Sequence, residues 1–302
     1  GLRNPSDTVL STGTYYIPGS SRGYRDDTRY GAGRVNLIQA ITQSVNTYFY
    51  SLAYQMGIGR FDQWMAKFGF GSPTGIDLPD ETGGVLPSPE WKSRTFKQPW
   101  YPGETVISGI GQGYWMVTPL QMARALATLA GGGLSHTPHL LAATSDGLES
   151  PEIPYKQPAP VQLTHDAADL EAIKQGMLGV VYNPSGTAYA AGIGNGFPYL
   201  IAGKTGTAER YSRTTEAYNT NKNLQYLAER HRAWFICYAP ANHPEIAIAV
   251  VLEHGAWGGS AAAPIARKML NQWLADTPPS ERPPLPVTAV ATPPSAPAPT
   301  IP

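Results

Sequence analysis

Two apolar runs in the last quarter of the chain constrain its fold more than any other feature. Residues 233–239 and 246–253 are rich in Ala, Ile, Val and Trp and are joined by a short polar link, a pattern typical of neighbouring antiparallel strands. The run Ile246–Leu252 is apolar at nearly every position, which is typical of a strand covered on both faces and paired on both sides. With a third predicted strand at 199–209, the pattern predicts a buried antiparallel sheet.

Helical patterns surround the predicted strands. Phe49, Leu52, Ala53 and Met56 recur at the spacing of one helix face, and Gly57 and Gly59 are predicted to end that helix. The predicted helices cover residues 36–43, 49–56, 61–68, 118–130, 167–181 and 262–274. The predicted loops cover residues 1–35, with short extended pieces such as Thr14-Tyr15-Tyr16-Ile17, 72–103 and 210–232, the last of them mobile. Residues 134–163 are predicted to be a polar surface excursion, and a Pro- and Ala-rich disordered tail covers 277–302.

Composition excludes several classes of protein. The chain of 302 residues carries 22 Lys plus Arg and 22 Asp plus Glu, so its zero net charge argues against a nucleic-acid partner. Cys237 is the single cysteine; it is predicted to be a small buried residue, and an intrachain disulfide is impossible. The sequence contains no run of 18 apolar residues that would predict a membrane span.

The run Lys204-Thr205-Gly206-Thr207-Ala208 enters the first predicted strand and carries groups suited to acyl transfer. Lys204 and the hydroxyls of Thr205 and Thr207 suit the binding of a substrate carboxylate by charge-assisted hydrogen bonds. Gly206 lacks a Cβ atom, which lets a substrate backbone approach. The backbone N–H of Thr207 is then a candidate donor to a developing oxyanion.

Ser44-Val45-Asn46 forms a second motif, at the break between the first two predicted helices. Ser44 carries a short hydroxyl able to relay a proton, and Asn46 can bind a peptide amide through both ends of its carboxamide. Either motif alone is weak evidence. The two together, in this order and about 160 residues apart, indicate the S-x-N and K-T-G signatures of penicillin-interacting serine acyltransferases.

Rival readings of these residues lack their own signatures. A phosphate-binding loop ending at Gly203-Lys204-Thr205 needs glycine at 198, where the chain has Pro198. The sequence has no G-x-S-x-G, which disfavours an α/β-hydrolase, and no H-E-x-x-H, while its six histidines are scattered.

Several further segments make the resemblance specific. The chain resembles the transpeptidase domain of the penicillin-binding protein 2 family, the class B enzymes of bacterial elongation, over roughly residues 10–275. The resemblance rests on six segments: Tyr24-Arg25-Asp26, Asn46-Thr47-Tyr48-Phe49-Tyr50, Gly75-Ile76-Asp77-Leu78, Trp100-Tyr101-Pro102-Gly103-Glu104-Thr105, Gly109-Ile110-Gly111-Gln112-Gly113-Tyr114 and Ala202-Gly203-Lys204-Thr205-Gly206-Thr207-Ala208.

The resemblance implies a fold, an activity and a set of site residues. The expected fold is the mixed α/β penicillin-recognition fold, an antiparallel sheet with helices on both faces. The implied activity is peptidoglycan D,D-transpeptidation through a serine acyl-enzyme, with stem peptides as substrates, β-lactams as inhibitors and no cofactor. The implied catalytic residues are Ser44, Lys204 and Thr207, and the implied substrate-binding residues are Asn46, Thr205, Gly206 and Thr207.

The family's first signature, S-x-x-K, is missing, because none of the eight lysines has a serine three residues before it. We expect residues 1–276 to be the C-terminal portion of the domain, with the nucleophile helix, N-terminal strands and a membrane anchor before Gly1. By itself the chain is therefore predicted to be inactive. The resemblance also implies a periplasmic location at the inner membrane, with a membrane glycosyltransferase and elongation-complex proteins as partners.

Some members of the family carry a structural metal bound by Asp, His and Cys. This chain has Asp26 but Ala32 and Val45 at the other candidate positions, so we predict no metal site. Two alternatives stay open at this point. One is a D,D-carboxypeptidase or β-lactamase-like serine hydrolase, and the other is a non-catalytic relative that binds peptidoglycan or partner proteins.

Overall fold

The computed structural model describes residues 1–147, 150–208 and 231–275. Its helices are α1 (Leu37–Gln43), α2 (Asn46–Met56), α3 (Ile58–Lys67), α4 (Pro89–Phe96), α5 (Pro102–Ser108), α6 (Pro119–Ala130), α7 (Ala167–Tyr182) and α8 (Ala263–Ala275). Its strands are β1 (Val9–Ser11), β2 (Thr14–Tyr16), β3 (Gly23–Arg25), β4 (Gly33–Val35), β5 (Leu134–Ser135), β6 (Ala143–Thr144), β7 (Ile153–Pro154), β8 (Val161–Gln162), β9 (Ala202–Ala208), β10 (Arg232–Ala239) and β11 (Ile246–Leu252).

The predicted antiparallel sheet is present, with β10 between β9 and β11. Phe235 of β10 lies opposite Thr205 on one side and Val250 on the other. Side chains of one face of β10, such as Phe235 and Cys237, are fully buried, and those of the other face, such as Trp234, are partly buried. Because successive side chains of a strand point to opposite faces, both faces of the sheet are covered.

The first strand of this sheet is shorter than the sequence predicts. Residues 199–201 are apolar because they lie in the core, but their backbone groups bond outside the sheet. Ile201 N–H donates to the Tyr182 hydroxyl at 3.1 Å, and the Leu200 carbonyl accepts from Ala241 N–H at 2.8 Å. The ladder therefore begins only at Ala202.

Helices α6, α7 and α8 pack against the sheet and enclose the main hydrophobic core. The core includes Cys237, where burial raises the pKa of the thiol to about 12, so this residue is the small buried side chain that the sequence predicts. Helix α6 begins as predicted, with the Thr118 hydroxyl accepting from Gln121 N–H and proline at the first helical position.

Close packing of α1 on α7 fixes the position of the segment that follows α1. A Cβ atom added at Gly176 would lie 2.7 Å from Cβ of Ile41, and one added at Gly179 would lie 2.1 Å from Oγ1 of Thr42. The two glycines thus let the helices approach until side chains of α1 touch the backbone of α7. The Thr42 hydroxyl donates to the Gly176 carbonyl at 3.2 Å.

Several loop predictions were wrong. Residues 1–35 are not irregular but form two antiparallel pairs, β1 with β4 and β2 with β3, although the extended piece predicted from Thr14 is present as β2. The surface excursion at 134–163 contains four two-residue strands. The proline-rich stretch 72–103 contains α4 and the start of α5, because prolines 89 and 102 occupy first-turn positions, where the missing N–H costs nothing.

Gly57 alone ends α2, whereas Gly59 lies inside α3. The predicted mobile loop at 210–232 lies almost wholly outside the described residues, and the predicted tail at 277–302 does so entirely. In the ranges that the structure describes, no helix combines the length and hydropathy needed to cross a bilayer.

Candidate active site

The two sequence motifs meet in space through Lys204 of β9. Its Nζ atom donates to Ser44 Oγ at 2.8 Å and to the backbone carbonyl of Thr205 at 2.9 Å. The bond to Ser44 joins residues 160 positions apart in the sequence. Tight packing of α1 on α7 and the pairing of β9 with β10 bring these two side chains together.

Lys204 has an unusual protonation equilibrium. Burial lowers the pKa of its ammonium group from 10.5 to about 8, while the negative charge of Asp27 acts in the opposite direction. A lysine with such a pKa is mostly charged at neutral pH and loses its proton under mildly alkaline conditions. It is therefore able both to bind an anion and to exchange a proton with the Ser44 hydroxyl.

Ser44 is held in a backbone conformation that is rare for residues other than glycine. It ends α1 with φ 57° and ψ 46°, and its N–H group donates to carbonyls of the last turn of α1. A non-glycine residue in the left-handed region costs about 1–3 kcal/mol, and such residues cluster at functional sites. This conformation directs the chain sharply from α1 into α2 and leaves the Ser44 side chain beside Lys204.

Asn46 opens α2, and its position depends on Asp26, whose role the sequence analysis missed. The N-cap of α2 is Val45, which has no polar side chain to cap the helix. Asp26 does this instead: its Oδ1 accepts from Asn46 N–H at 3.1 Å, and its Oδ2 accepts from Thr47 N–H and Oγ1, each at 2.9 Å. A carboxylate at this end also suits the helix dipole.

Asn46 keeps its carboxamide available. Its side chain is only partly buried, and it makes no hydrogen bond within the described residues. A metal role for Asp26 is disfavoured by its three bonds to α2, and the described residues contain no cluster of three His, Cys, Asp or Glu side chains. The prediction of no metal site stays a prediction.

Thr205 lies beside a second hydroxyl that the sequence analysis did not assign. The Oγ1 atoms of Thr205 and Thr187 are 2.6 Å apart, and Thr187 N–H also donates to the Thr42 carbonyl at 3.4 Å. Thr187 is exposed and follows Gly186, in a Gly-Thr-Ala segment that is too short to stand out by sequence alone. The pair forms a row of hydroxyl donors next to Lys204.

Gly206 and Thr207 continue the strand beyond Thr205. A Cβ atom on Gly206 would lie 3.1 Å from Cβ of Trp234, so glycine here also relieves the packing between β9 and β10. The Thr207 carbonyl accepts from Gln112 Nε2 at 2.7 Å. Gln112 lies between Gly111 and Gly113, both with positive φ, in a loop that thereby reaches the edge of the site; its contact was not predicted.

Comparison with known proteins agrees with this geometry. Residues 1–271 match the family model of the penicillin binding protein transpeptidase domain. The chain is 41% identical over 276 residues to the peptidoglycan D,D-transpeptidase MrdA of Escherichia coli, an alignment that covers 90% of this chain and 42% of that protein.

Solved structures with the same fold include two penicillin-binding proteins called PBP2. Pseudomonas aeruginosa PBP2 in complex with WCK 5153 has 40% identity and a TM-score of 0.74, covering 90% of this chain and 57% of that one. Helicobacter pylori PBP2, in its complex with MreC, has 29% identity and a TM-score of 0.73, covering 91% of this chain and 46% of that one.

The chain spans less than half the length of the Escherichia coli relative. Over that span, the family match includes both motifs and the segments that position them, and the antiparallel sheet with packed helices is the expected penicillin-recognition fold. The chain belongs to the penicillin-binding protein transpeptidase family.

Proposed function

We propose that this chain forms part of a peptidoglycan D,D-transpeptidase that cross-links stem peptides through a serine acyl-enzyme and is a target of β-lactams. The observation that carries the proposal is the 2.8 Å hydrogen bond from Lys204 Nζ to Ser44 Oγ. This bond joins the K-T-G and S-x-N motifs into one site, and it gives a serine hydroxyl a lysine partner with a pKa of about 8.

The roles of the site residues follow from the groups they offer. Lys204 and Thr205 bind the carboxylate of the donor peptide, with the Thr187 hydroxyl orienting that of Thr205 at 2.6 Å. Asn46 binds a peptide amide of the donor through its carboxamide, and Ser44 relays the proton between Lys204 and the reacting groups. The Thr207 N–H stabilises the oxyanion while Gly206 allows the substrate backbone to approach.

The nucleophile of this reaction lies outside the 302 residues, because no S-x-x-K occurs among them. We place it in another part of the complete protein, to which residues 1–276 would add the C-terminal portion of the domain. In the second half-reaction the acceptor amine attacks the ester carbonyl. A C–N bond forms, the C–O bond to the nucleophilic serine breaks, and the amine proton passes to that serine oxygen.

Location and partners belong to the same proposal. The Helicobacter pylori relative forms a complex with MreC, which supports an elongation-complex partner of that kind here. A membrane glycosyltransferase as second partner, and a periplasmic domain attached to the inner membrane, are what the family resemblance implies.

Product analysis with the complete protein tests the proposal. Incubation with a stem pentapeptide that ends in D-Ala-D-Ala should release D-alanine and give cross-linked dimers by mass spectrometry, and penicillin should abolish both products. Release of D-alanine without dimers would identify a carboxypeptidase instead, and rapid turnover of penicillin would identify a β-lactamase. Stem-peptide binding without any product would identify the non-catalytic relative.

A further inference from the structure

A cavity of about 510 Å³ is lined by residues other than those of the site described above. It is bounded by the β2–β3 hairpin, the first turns of α5 and the loop after α5, and its volume is within the range of small-molecule sites. The side chains that give it its chemistry are Arg22, Tyr24, Tyr101, Glu104 and Tyr114. We call it the tyrosine–arginine pocket.

Two hydrogen-bond donors of this pocket have no partner in the described part of the chain. Tyr24 is only 7% exposed, yet its hydroxyl makes no hydrogen bond. The Arg22 guanidinium lies 5.6 Å from the centroid of the Tyr24 ring and makes no ion pair. Tyr24 and Arg22 both line the cavity, and the Tyr24 hydroxyl is not one of the fully buried polar atoms, so both donors are available to an acceptor that a ligand supplies.

The charge of the pocket favours an anion. The carboxylate of Glu104 forms an ion pair with Lys92, which is buried. Its oxygens also accept from Tyr101 N–H at 2.7 Å and from the Tyr114 hydroxyl at 3.3 Å. Glu104 and Lys92 therefore neutralise each other, and the charge of Arg22 remains uncompensated. A guanidinium with an adjacent hydroxyl suits a carboxylate, which accepts two parallel hydrogen bonds.

The pocket adjoins the catalytic cleft at two points. Gly113 lines it, and the preceding residue, Gln112, donates to the Thr207 carbonyl at 2.7 Å. On the other side, the strand that carries Tyr24 continues to Asp26, which caps α2 at Asn46. The next residue is Asp27, whose charge acts on Lys204. A ligand in the pocket would thus lie next to the K-T-G strand without competing for Lys204.

We propose that the tyrosine–arginine pocket binds a carboxylate of the acceptor stem peptide, the strand whose amine resolves the acyl-enzyme. This inference rests on the proposed transpeptidase function. The donor carboxylate is assigned to Lys204 and Thr205, so a second anion site that adjoins the cleft matches a second peptide. The rings of Tyr101 and Tyr114 provide apolar walls for the aliphatic part of the acceptor side chain.

The test separates acceptor use from donor acylation in the complete protein. The enzyme is acylated with a thioester donor, and a synthetic stem tripeptide with a side-chain amine serves as acceptor. A second acceptor is the same tripeptide with every carboxylate converted to an amide. The readouts are the apparent KM for each acceptor and, separately, the rate constant for acylation by a fluorescent penicillin.

We expect Arg22→Gln to raise the apparent KM for the carboxylate acceptor about tenfold or more, and Tyr24→Phe to raise it several-fold. In Arg22→Gln, the preference for the carboxylate over the amide acceptor should largely disappear, while penicillin acylation stays within about twofold of wild type. Gly103→Ala should also raise the KM, because its Cβ atom would lie 2.1 Å from the Tyr24 hydroxyl and displace that group.

Arg60→Gln and Tyr30→Phe are the matched controls, since both residues are exposed and lie outside the pocket, and neither should change any readout. An unchanged acceptor KM and unchanged carboxylate preference in Arg22→Gln would overturn the inference. So would an equal loss of penicillin acylation and acceptor use, which would assign the pocket to the fold or to the donor. A wild-type protein that penicillin does not acylate would instead contradict the proposed function itself.

Discussion

At the scale of single residues, the site depends on Lys204, whose pKa is lowered by burial and raised by the nearby charge of Asp27. Lys204 donates to Ser44 and to a backbone carbonyl, and burial lowers its pKa to about 8. The protonated form predominates below that pH, so binding of a substrate carboxylate is available at neutral pH and is lost as the pH rises above about 8.

This equilibrium predicts an alkaline limb in the reaction with β-lactams. In the complete protein, the second-order rate constant for penicillin acylation should fall above pH 8, with an apparent pKa of about 8 that reports the free enzyme. Lys204→Arg keeps its charge at higher pH and should move the limb upward by at least one unit, whatever its effect on the maximal rate. A limb at the same pH in both proteins would show that another group titrates.

Asp26 is the residue on which the position of Asn46 depends. Asp26→Ala removes the acceptor of three hydrogen bonds at the start of α2 and should lower the free energy of unfolding by about 1–2 kcal/mol. Asp26→Asn, which keeps one acceptor oxygen, should cost less. Urea unfolding of the three proteins measures the order, and equal stability of all three would contradict the capping role.

At the scale of elements, the approach of α1 to α7 determines where the S-x-N segment lies. Glycine in a helix interior normally lowers helix stability by about 1 kcal/mol relative to alanine, so Gly179 is unfavourable for α7 by helix propensity alone. The structure gives the reason, because a Cβ atom there would meet Oγ1 of Thr42 at 2.1 Å. Ser44 follows Thr42 by only two residues, so a shift of α1 moves the site.

We therefore expect Gly179→Ala to destabilise the protein, since overpacking costs about 1–3 kcal/mol and exceeds the gain in helix propensity. Penicillin acylation should slow as well, because Ser44 moves away from Lys204. Thr42→Ala in the same protein should restore part of both losses by making room for the added methyl group. If the two substitutions have additive effects on the free energy of unfolding, contact with Thr42 is not the reason that position 179 requires glycine.

The elements that sequence reasoning predicted are those with strong local signals. Helix α6 has a capping threonine followed by proline, and β10 and β11 have continuous apolar runs. Helices α4 and α5 were missed because prolines were read as loop signals, although each stands in a first turn. The motifs Ser44-Val45-Asn46 and Lys204-Thr205-Gly206 were found from sequence because each has a fixed pattern and the two occur in the expected order, although Lys204-Thr205-Gly206 lies within β9 and not at a break between elements.

The unpredicted parts of the site are contacts between distant segments. Asp26 caps α2 from a position 20 residues earlier in the sequence. The hydrogen bond from Gln112 to the Thr207 carbonyl joins residues 95 positions apart, and Thr187 and Thr205 are 18 positions apart. None of these three contacts produces a recognisable sequence pattern, because in each the hydrogen-bond partner is a backbone group or a single hydroxyl. Their geometry depends on packing, which a single sequence does not specify.

At the scale of the whole molecule, the described residues leave one edge of the sheet without a partner strand and expose apolar side chains on α8. In the described residues, β11 pairs only with β10. Helix α8 exposes Ile265, Met269 and Trp273, at 38%, 46% and 56%, and their spacing of four residues puts them on one face. An open strand edge beside an exposed apolar stripe invites association with another chain.

Residues 1–302 should therefore self-associate, as measured by analytical ultracentrifugation. Met269→Glu with Trp273→Glu should reduce this association, because both charges fall on the exposed stripe, whereas Lys67→Glu on α3 should not. A monodisperse monomer in that measurement would contradict the prediction that the open edge of β11 and the exposed stripe of α8 promote association.

The proposed function depends on the K-T-G and S-x-N motifs forming one catalytic cleft. Its most direct test is the second-order rate constant for acylation of the complete protein by fluorescent penicillin, compared among wild type, Lys204→Ala and Thr205→Val. We predict a fall of about tenfold or more in each variant, from the loss of hydrogen bonds to a charged carboxylate, with melting temperatures near that of wild type. Unchanged acylation in both variants would contradict the claim.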